Sequence, residues 1–139
     1  MRSGLVILAG ALIFLSSFAH SLLGWPALRG ELAGIGAPPD LTGGIGAGWL
    51  FGSAAMATFG LIVVTSGLKL RRGDRSGVAP VRLVAACYFL FGLSAFIALD
   101  LSPHFAGFMV IGLLAGLPVL GGGPTRSGPA GSSQARITD

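Results

Sequence analysis

Four long apolar runs alternate with shorter polar or glycine-rich stretches along this chain. The runs lie near residues 4–23, 45–68, 81–100 and 104–121. A transmembrane helix needs about 20 consecutive, mostly apolar residues to cross the hydrocarbon core. The pattern therefore predicts four membrane-spanning helices.

The stretches between the runs carry residues typical of turns. Residues 24–44 contain three prolines and many glycines, which predicts turns and not another helix. Residues 69–80 are short and basic. In the third linker, Asp-Leu-Ser-Pro, Ser102 can cap and Pro103 can begin the last helix. We therefore expect spans three and four to form a tight antiparallel hairpin.

Composition supports one membrane domain. Hydrophobic residues make up 53% of the chain and charged residues 10%, whereas soluble domains carry about 25% charge. Backbone groups in lipid must satisfy one another, so uninterrupted runs favour helices. We expect an all-α, antiparallel four-helix transmembrane bundle over residues 1–121, followed by a flexible cytoplasmic tail over residues 122–139. Cys87 has no partner for an intramolecular disulfide and is expected to be a buried small hydrophobe.

Basic residues predict the orientation, because short loops rich in Lys and Arg stay cytoplasmic. With a cytoplasmic amino terminus, the outer side carries only Arg29. The inner side then carries Arg2, Lys69, Arg71, Arg72, Arg75, Arg82, Arg126 and Arg136. Both termini are therefore expected on the cytoplasmic side of the cytoplasmic (inner) membrane. Anionic lipid headgroups account for the excess positive charge, and nucleic-acid binding is not indicated.

The first run also fits a second interpretation. A basic start, an apolar core and small residues before His20 resemble a signal peptide cleaved after residue 19. Cleavage would leave three spans and place His20 at a free amino terminus that could bind copper. The run continues through Leu22 and Leu23, which favours a retained helix. The intact mass of the mature protein distinguishes the two.

Helical periodicity predicts which faces meet. In the first span a polar or small stripe, expected to face the bundle, contains Gly10, Phe14, Ser17, His20, Ser21 and Gly24. In the second, Gly44, Gly48, Gly52 and Gly60 repeat every fourth residue with Met56 filling the gap, a ridge that allows close helix contact. The ridge can serve packing within one chain or the seam of a homo-oligomer.

Known catalytic and nucleotide-binding signatures are missing from the sequence. In Gly43–Gly48 the third glycine of a dinucleotide fingerprint would fall at Trp49, and no strand precedes the cluster. Few titratable residues lie within the runs, whereas coupled transport needs an ionisable group for which substrate and proton compete. We therefore expect a non-catalytic accessory or binding protein, in preference to an enzyme or a carrier.

Antiparallel topology brings four candidate site residues to the same end of the bundle. These residues are His20, Trp49, Asp100 and His104. An ionisable group inside a membrane indicates a functional site, and Asp100 could orient His20 and stabilise its cation. Structural alternatives are a His20 hydrogen bond to a neighbouring helix, a tryptophan at the membrane interface, and an interfacial, solvated His104.

The segments His-Ser-Leu-Leu-Gly-Trp (20–25) and 46–60, which contains Trp49, resemble the first two helices of small bacterial four-helix membrane proteins of the DoxX-like group. In many of those relatives a histidine follows the tryptophan, whereas this chain has Leu50. The resemblance implies a link to quinone-dependent redox assemblies. Small multidrug transporters are another four-helix class of this size, but they use an acidic residue in the first helix, and this chain has none there.

Any small-molecule site is expected near the outer leaflet between spans one, three and four. His20 and Asp100 would be its polar groups, and its walls would include Phe18, Trp49, Phe96 and Phe105. A quinone-like ligand suits this chemistry. A haem held by His20 and His104 is the alternative cofactor, although His104 is close to the helix start. Other partners are the lipid bilayer, a second copy of the chain or another membrane protein.

Overall fold

The computed structural model describes residues 2–121, which form helices and contain no strand. The helices are α1 (Arg2–Ala19), α2 (Trp25–Gly34), α3 (Pro39–Arg71), α4 (Val78–Ala98) and α5 (Pro103–Leu120), with a π-helical segment at His20–Gly24 and a 3₁₀ turn at Arg75–Gly77. The expected all-α four-helix fold is confirmed. The predicted tail, residues 122–139, lies outside the described residues.

Four continuous helical stretches are long and apolar enough to cross a membrane: Arg2–Gly34, Pro39–Arg71, Arg75–Ala98 and Pro103–Leu120. The first two have 33 residues each, about 50 Å at 1.5 Å per residue. The last has 18 residues and spans about 27 Å. Because a bilayer core is about 30 Å thick, the first two stretches are long enough to extend beyond it.

The prediction of turns over residues 24–44 is wrong for most of that stretch. The helix continues past Pro26, and only four residues, 35–38, separate α2 from α3. Proline lacks an N–H and its ring clashes with the carbonyl four residues earlier. The π-helical segment just before Pro26 widens the helix, and the Trp25 N–H bonds to the carbonyl of His20. The wider turn accommodates the proline without ending the helix.

The turn between α2 and α3 and the turn between α4 and α5 have different backbone conformations. Gly36 has a φ of +66° and its N–H bonds to the carbonyl of Ala33, a left-handed ending that glycine adopts without strain. Pro103 begins α5 as expected, but Ser102 makes no side-chain cap. In that turn Asp100 and Leu101 both have positive φ values, 51° and 60°.

Small residues bring α1 and α3 into close antiparallel contact. A Cβ added at Gly60 would lie 2.6 Å from the Phe14 nitrogen, and one at Gly10 would lie 2.7 Å from the Val64 nitrogen. In lipid, helices associate through such van der Waals contact, because the surrounding tails are as apolar as the side chains. A glycine also brings α4 and α5 into close contact, since a Cβ at Gly92 would lie 2.8 Å from the Met109 nitrogen.

The predicted ridge on the second span is only half correct. Gly44 and Gly48 have open space beside them, whereas Gly52 faces His20 and Gly60 faces α1. A four-residue step advances about 400° around a helix, so a ridge with that spacing drifts by about 40° per step. Four of the five buried small residues of α3, all except Ser66, instead recur every seven residues, at Gly46, Ser53, Gly60 and Gly67. Seven residues make nearly two turns, so this stripe keeps facing the continuous helical stretch Arg2–Gly34, with Gly46 against Trp25 and Gly60 against Phe14.

The predicted stripe of α1 does face the bundle. Gly10 and Ser17 are buried, whereas Leu15 and Leu22 on the other face are 62% and 68% exposed. Cys87 does not behave as expected, because it is exposed. It lies one position before the buried Tyr88, so it points away from the core of the bundle.

The apolar core lies toward the end of the bundle where α1 begins. Its members are Val6, Ala9, Ile13, Val63, Val81, Val84, Ala85, Tyr88, Ala115 and Val119. At this end the Arg82 guanidinium donates to the carbonyls of Val119 (2.7 Å) and Leu120 (3.2 Å). It therefore caps carbonyls that have no partner within α5.

Candidate functional site

Two adjacent cavities occupy the half of the bundle away from the apolar core. The first, the Cys87 cavity, has a volume of about 310 Å³, and the second, the His104 cavity, about 340 Å³. Both are lined by His20, Met56, Tyr88 and Phe108. Their volumes are at the lower end of the range for small-molecule sites.

The two cavities lie between different helices. The Cys87 cavity is bounded mainly by α3 and α4, with Phe59 and Phe91 among its walls. The His104 cavity is bounded by α1, α3 and α5, with Trp49 and Ser16 on its walls. His20 and Tyr88 are the side chains that bring polar atoms to both cavities.

The backbone around the π-helical segment positions His20. Its ring stacks on Trp49, with centroids 4.1 Å apart and an angle of 7° between the planes. The Trp49 Nε1–H donates to the His20 carbonyl at 2.7 Å, and the same carbonyl accepts the Trp25 N–H. One tryptophan therefore holds both the ring and the backbone of His20.

Glycine makes room for both tryptophans. A Cβ at Gly24 would lie 2.8 Å from the Trp49 ring, and one at Gly46 would lie 2.6 Å from the Trp25 ring. Each ring thus lies over a glycine of the opposite helix. Both tryptophans therefore pack between helices, a role beyond the interfacial anchor that the sequence suggests.

Tyr88 is the polar group least satisfied by the protein itself. Its side chain is 6% exposed, and its hydroxyl has no hydrogen-bond partner within residues 2–121. By contrast, the hydroxyls of Ser17 and Ser53 each donate to a carbonyl of their own helix, at 2.6 Å and 3.1 Å. The Tyr88 ring packs near Phe59 and Phe108, and Tyr88 lines both cavities.

Comparisons with known proteins identify no family for this chain. No protein-family model matches it, and neither a curated protein nor a solved structure matches it. Function is therefore inferred from the geometry of the site.

The structure brings three of the four predicted site residues together. His20, Trp49 and His104 line the His104 cavity. Asp100 does not line either cavity and is exposed in the turn between α4 and α5. Asp100 has a positive φ in the tight turn before α5.

The predicted aromatic wall is also revised. Of its members, only Trp49 lines either cavity. Phe18 is 49% exposed and packs on Phe14. Phe105 stacks on Phe108 and lines neither cavity. The observed wall is formed by Met56, Phe59, Phe91 and Phe108.

Tyr88 is the site residue that the sequence prediction missed, although its position carries a signal. The buried residues of α4 are Val81, Val84, Ala85, Tyr88 and Gly92, which recur at three- and four-residue intervals. That spacing defines one helical face, and Tyr88 is the polar residue on it. Within residues 2–121 no group of three potential metal ligands is found.

Proposed function

We propose that this multi-pass membrane protein binds a small, mostly apolar ligand in the two cavities around Tyr88. Its role is that of a binding or accessory protein of the cytoplasmic membrane. The unpartnered Tyr88 hydroxyl supports this proposal most directly. Leaving a buried polar group without a hydrogen bond costs about 1–3 kcal/mol, and a ligand atom that bonds to it recovers that energy.

The walls and polar groups favour a ligand with a planar ring and a carbonyl oxygen. Aromatic side chains at Phe59, Phe91 and Phe108 line the Cys87 cavity together with Tyr88. A phenolic O–H can donate to a carbonyl, and an imidazole nitrogen of His20 supplies a second polar contact. A quinone has this chemistry, and such a ligand agrees with the DoxX-like resemblance of the first two spans and with a place in a redox assembly.

The first test is the effect of Tyr88→Phe on stability and binding together. Removing an unpaired buried hydroxyl should leave the ligand-free protein as stable or more stable, by up to about 1–3 kcal/mol. A short-chain benzoquinone should raise the unfolding temperature of the wild type, and the variant should bind it about tenfold more weakly. Thermal unfolding in mild detergent measures both effects.

Thr65→Val is the matched control for this test. Thr65 is exposed and its hydroxyl donates to the Leu61 carbonyl within its own helix, away from both cavities. This variant should bind benzoquinone like the wild type. A Tyr88→Phe protein that is less stable yet binds benzoquinone with unchanged affinity would contradict the proposal. A Soret band in the purified protein would favour haem held by His20 and His104 instead.

We also propose that both termini are cytoplasmic, so that the cavities lie toward the outer leaflet. The support is the charge distribution: six of the seven basic residues in the described chain lie toward the end where α1 begins, and Arg29 lies toward the other.

Single cysteines in a Cys87→Ser background test the orientation. A membrane-impermeant maleimide should label Gly34→Cys in intact cells, since Gly34 has open space beside it. It should label Arg72→Cys only after the membrane is opened. The reverse pattern would place the cavities toward the cytoplasmic leaflet.

A further inference from the structure

The end of the bundle opposite the His20 site contains a third cavity, of about 410 Å³. Arg2 and Arg75 line it, together with the start of α1, the end of α3, the start of α4 and the end of α5. We propose that it binds the phosphate headgroup of an anionic phospholipid. This inference is independent of the ligand proposed for the Tyr88 cavities.

Charge around this cavity is strongly one-sided. The basic residues of this end are Arg2, Lys69, Arg71, Arg72, Arg75 and Arg82, whereas among residues 2–121 its only acid is Asp74. The Asp74 carboxylate accepts the Ser76 N–H at 2.9 Å, and this backbone bond lowers the pKa of the carboxyl. Asp74 is not among the lining residues.

The helix end that would repel an anion is covered. The carbonyl end of a helix carries partial negative charge, and α5 ends at this cavity. Arg82 donates to the Val119 and Leu120 carbonyls, which neutralises that end. The amino-terminal end of α1, with partial positive charge, adds to the field of Arg2.

The apolar residues that line the cavity favour a lipid ligand over free phosphate. Val6, Leu70, Val78, Pro118 and Val119 form an apolar surface next to the guanidinium groups. An anion in water gains nothing from such a surface, but the glycerol and upper acyl carbons of a lipid can pack on it. Basic pockets between transmembrane helices at the membrane surface are typical sites for anionic headgroups.

The test compares two double variants with the same change in charge. Arg2→Gln/Arg75→Gln alters the cavity, and Arg71→Gln/Arg72→Gln alters exposed positions that do not line it. Each full-length protein is placed in nanodiscs containing equal phosphatidylglycerol and phosphatidylcholine, and the retained lipid is counted by native mass spectrometry after release. The cavity variant should retain about tenfold less phosphatidylglycerol than the wild type, and the control should retain wild-type amounts.

Two further measurements distinguish a lipid site from a structural defect and from a site for free phosphate. Arg2→Lys/Arg75→Lys keeps the charge and should restore most of the retention, which a purely structural defect would not. Inorganic phosphate should leave the unfolding temperature unchanged, whereas phosphatidylglycerol should raise it. Equal loss of retention in both glutamine variants, or a stabilising effect of inorganic phosphate equal to that of the lipid, would overturn the proposal.

Discussion

Gly60→Ala should destabilise the bundle by about 1–3 kcal/mol, although alanine is the better helix former. The new Cβ would lie 2.6–2.7 Å from the nitrogen, Cα and Cβ of Phe14. These atoms belong to the backbone and its first side-chain carbon, so no flexible side chain can move aside, and α1 must shift away from α3. Close contact is the main force between helices in lipid, so the whole interface weakens. Reversible unfolding in mixed micelles, followed by circular dichroism, measures the loss.

Gly48→Ala is the matched control on the same helix. Gly48 has open space beside it, so the substitution should be neutral or stabilising by up to about 1 kcal/mol. The pair also tests the alternative use of the glycines. If Gly48 and Gly44 form the seam of a homo-oligomer, Gly48→Leu should shift the oligomeric state in size-exclusion chromatography with light scattering. Equal destabilisation by both alanine variants would contradict the packing assigned to Gly60.

Trp49→Ala should cost about 3 kcal/mol of stability and should release His20. The substitution removes the ring stacked on His20 at 4.1 Å, the hydrogen bond to the His20 carbonyl and the group that lies over Gly24. Trp49→Phe keeps an aromatic ring but loses the N–H, so it should cost only about 1 kcal/mol. Thermal unfolding of the purified protein in detergent gives both values.

Leu50→Ala provides the comparison at the next position. Leu50 is 52% exposed. Its side chain contacts lipid or detergent in both the folded and the unfolded protein, so we expect almost no change in stability. Proton NMR of histidine-labelled protein should show a shift of the His20 ring signals in Trp49→Ala and not in Leu50→Ala. If Leu50→Ala is as destabilising as Trp49→Ala, the stack does not carry the role assigned to it.

Hydrophobic runs were sufficient to predict the helices but not all of their ends. Pro26 predicted a turn because proline lacks an N–H and its ring clashes with the preceding helical turn, yet the helix continues to Gly34. The cause is the π-helical segment at His20–Gly24, which depends on hydrogen bonds to His20 from Trp25 and from Trp49 on the neighbouring helix. The Trp49–His20 hydrogen bond joins residues 29 positions apart, so it cannot be predicted from the local sequence pattern.

The candidate site was partly predictable for a similar reason. His20, Trp49 and His104 could be grouped because antiparallel topology sets the depth of each residue, and depth follows from counting along a helix. Asp100 lies at the same end of the bundle but lines neither cavity, because it is exposed in a turn with two positive φ values after α4. Tyr88 has the right direction, since it lies on the buried stripe of α4, but only the packed structure leaves its hydroxyl without a partner.

The helical class, the four spans and the basic end follow from the amino-acid sequence, because length, hydropathy and charge act locally and add up along the chain. The sequence also contains the seven-residue period of the stripe formed by Gly46, Ser53, Gly60 and Gly67. The positions at which packing fails, in contrast, arise only in the folded bundle. The apolar core joins residues of α1, α3, α4 and α5, and the three cavities beside it are lined by residues from helices distant in sequence. Cavities arise from the mismatch of side-chain volumes between helices distant in sequence, and that mismatch exists only once the helices meet.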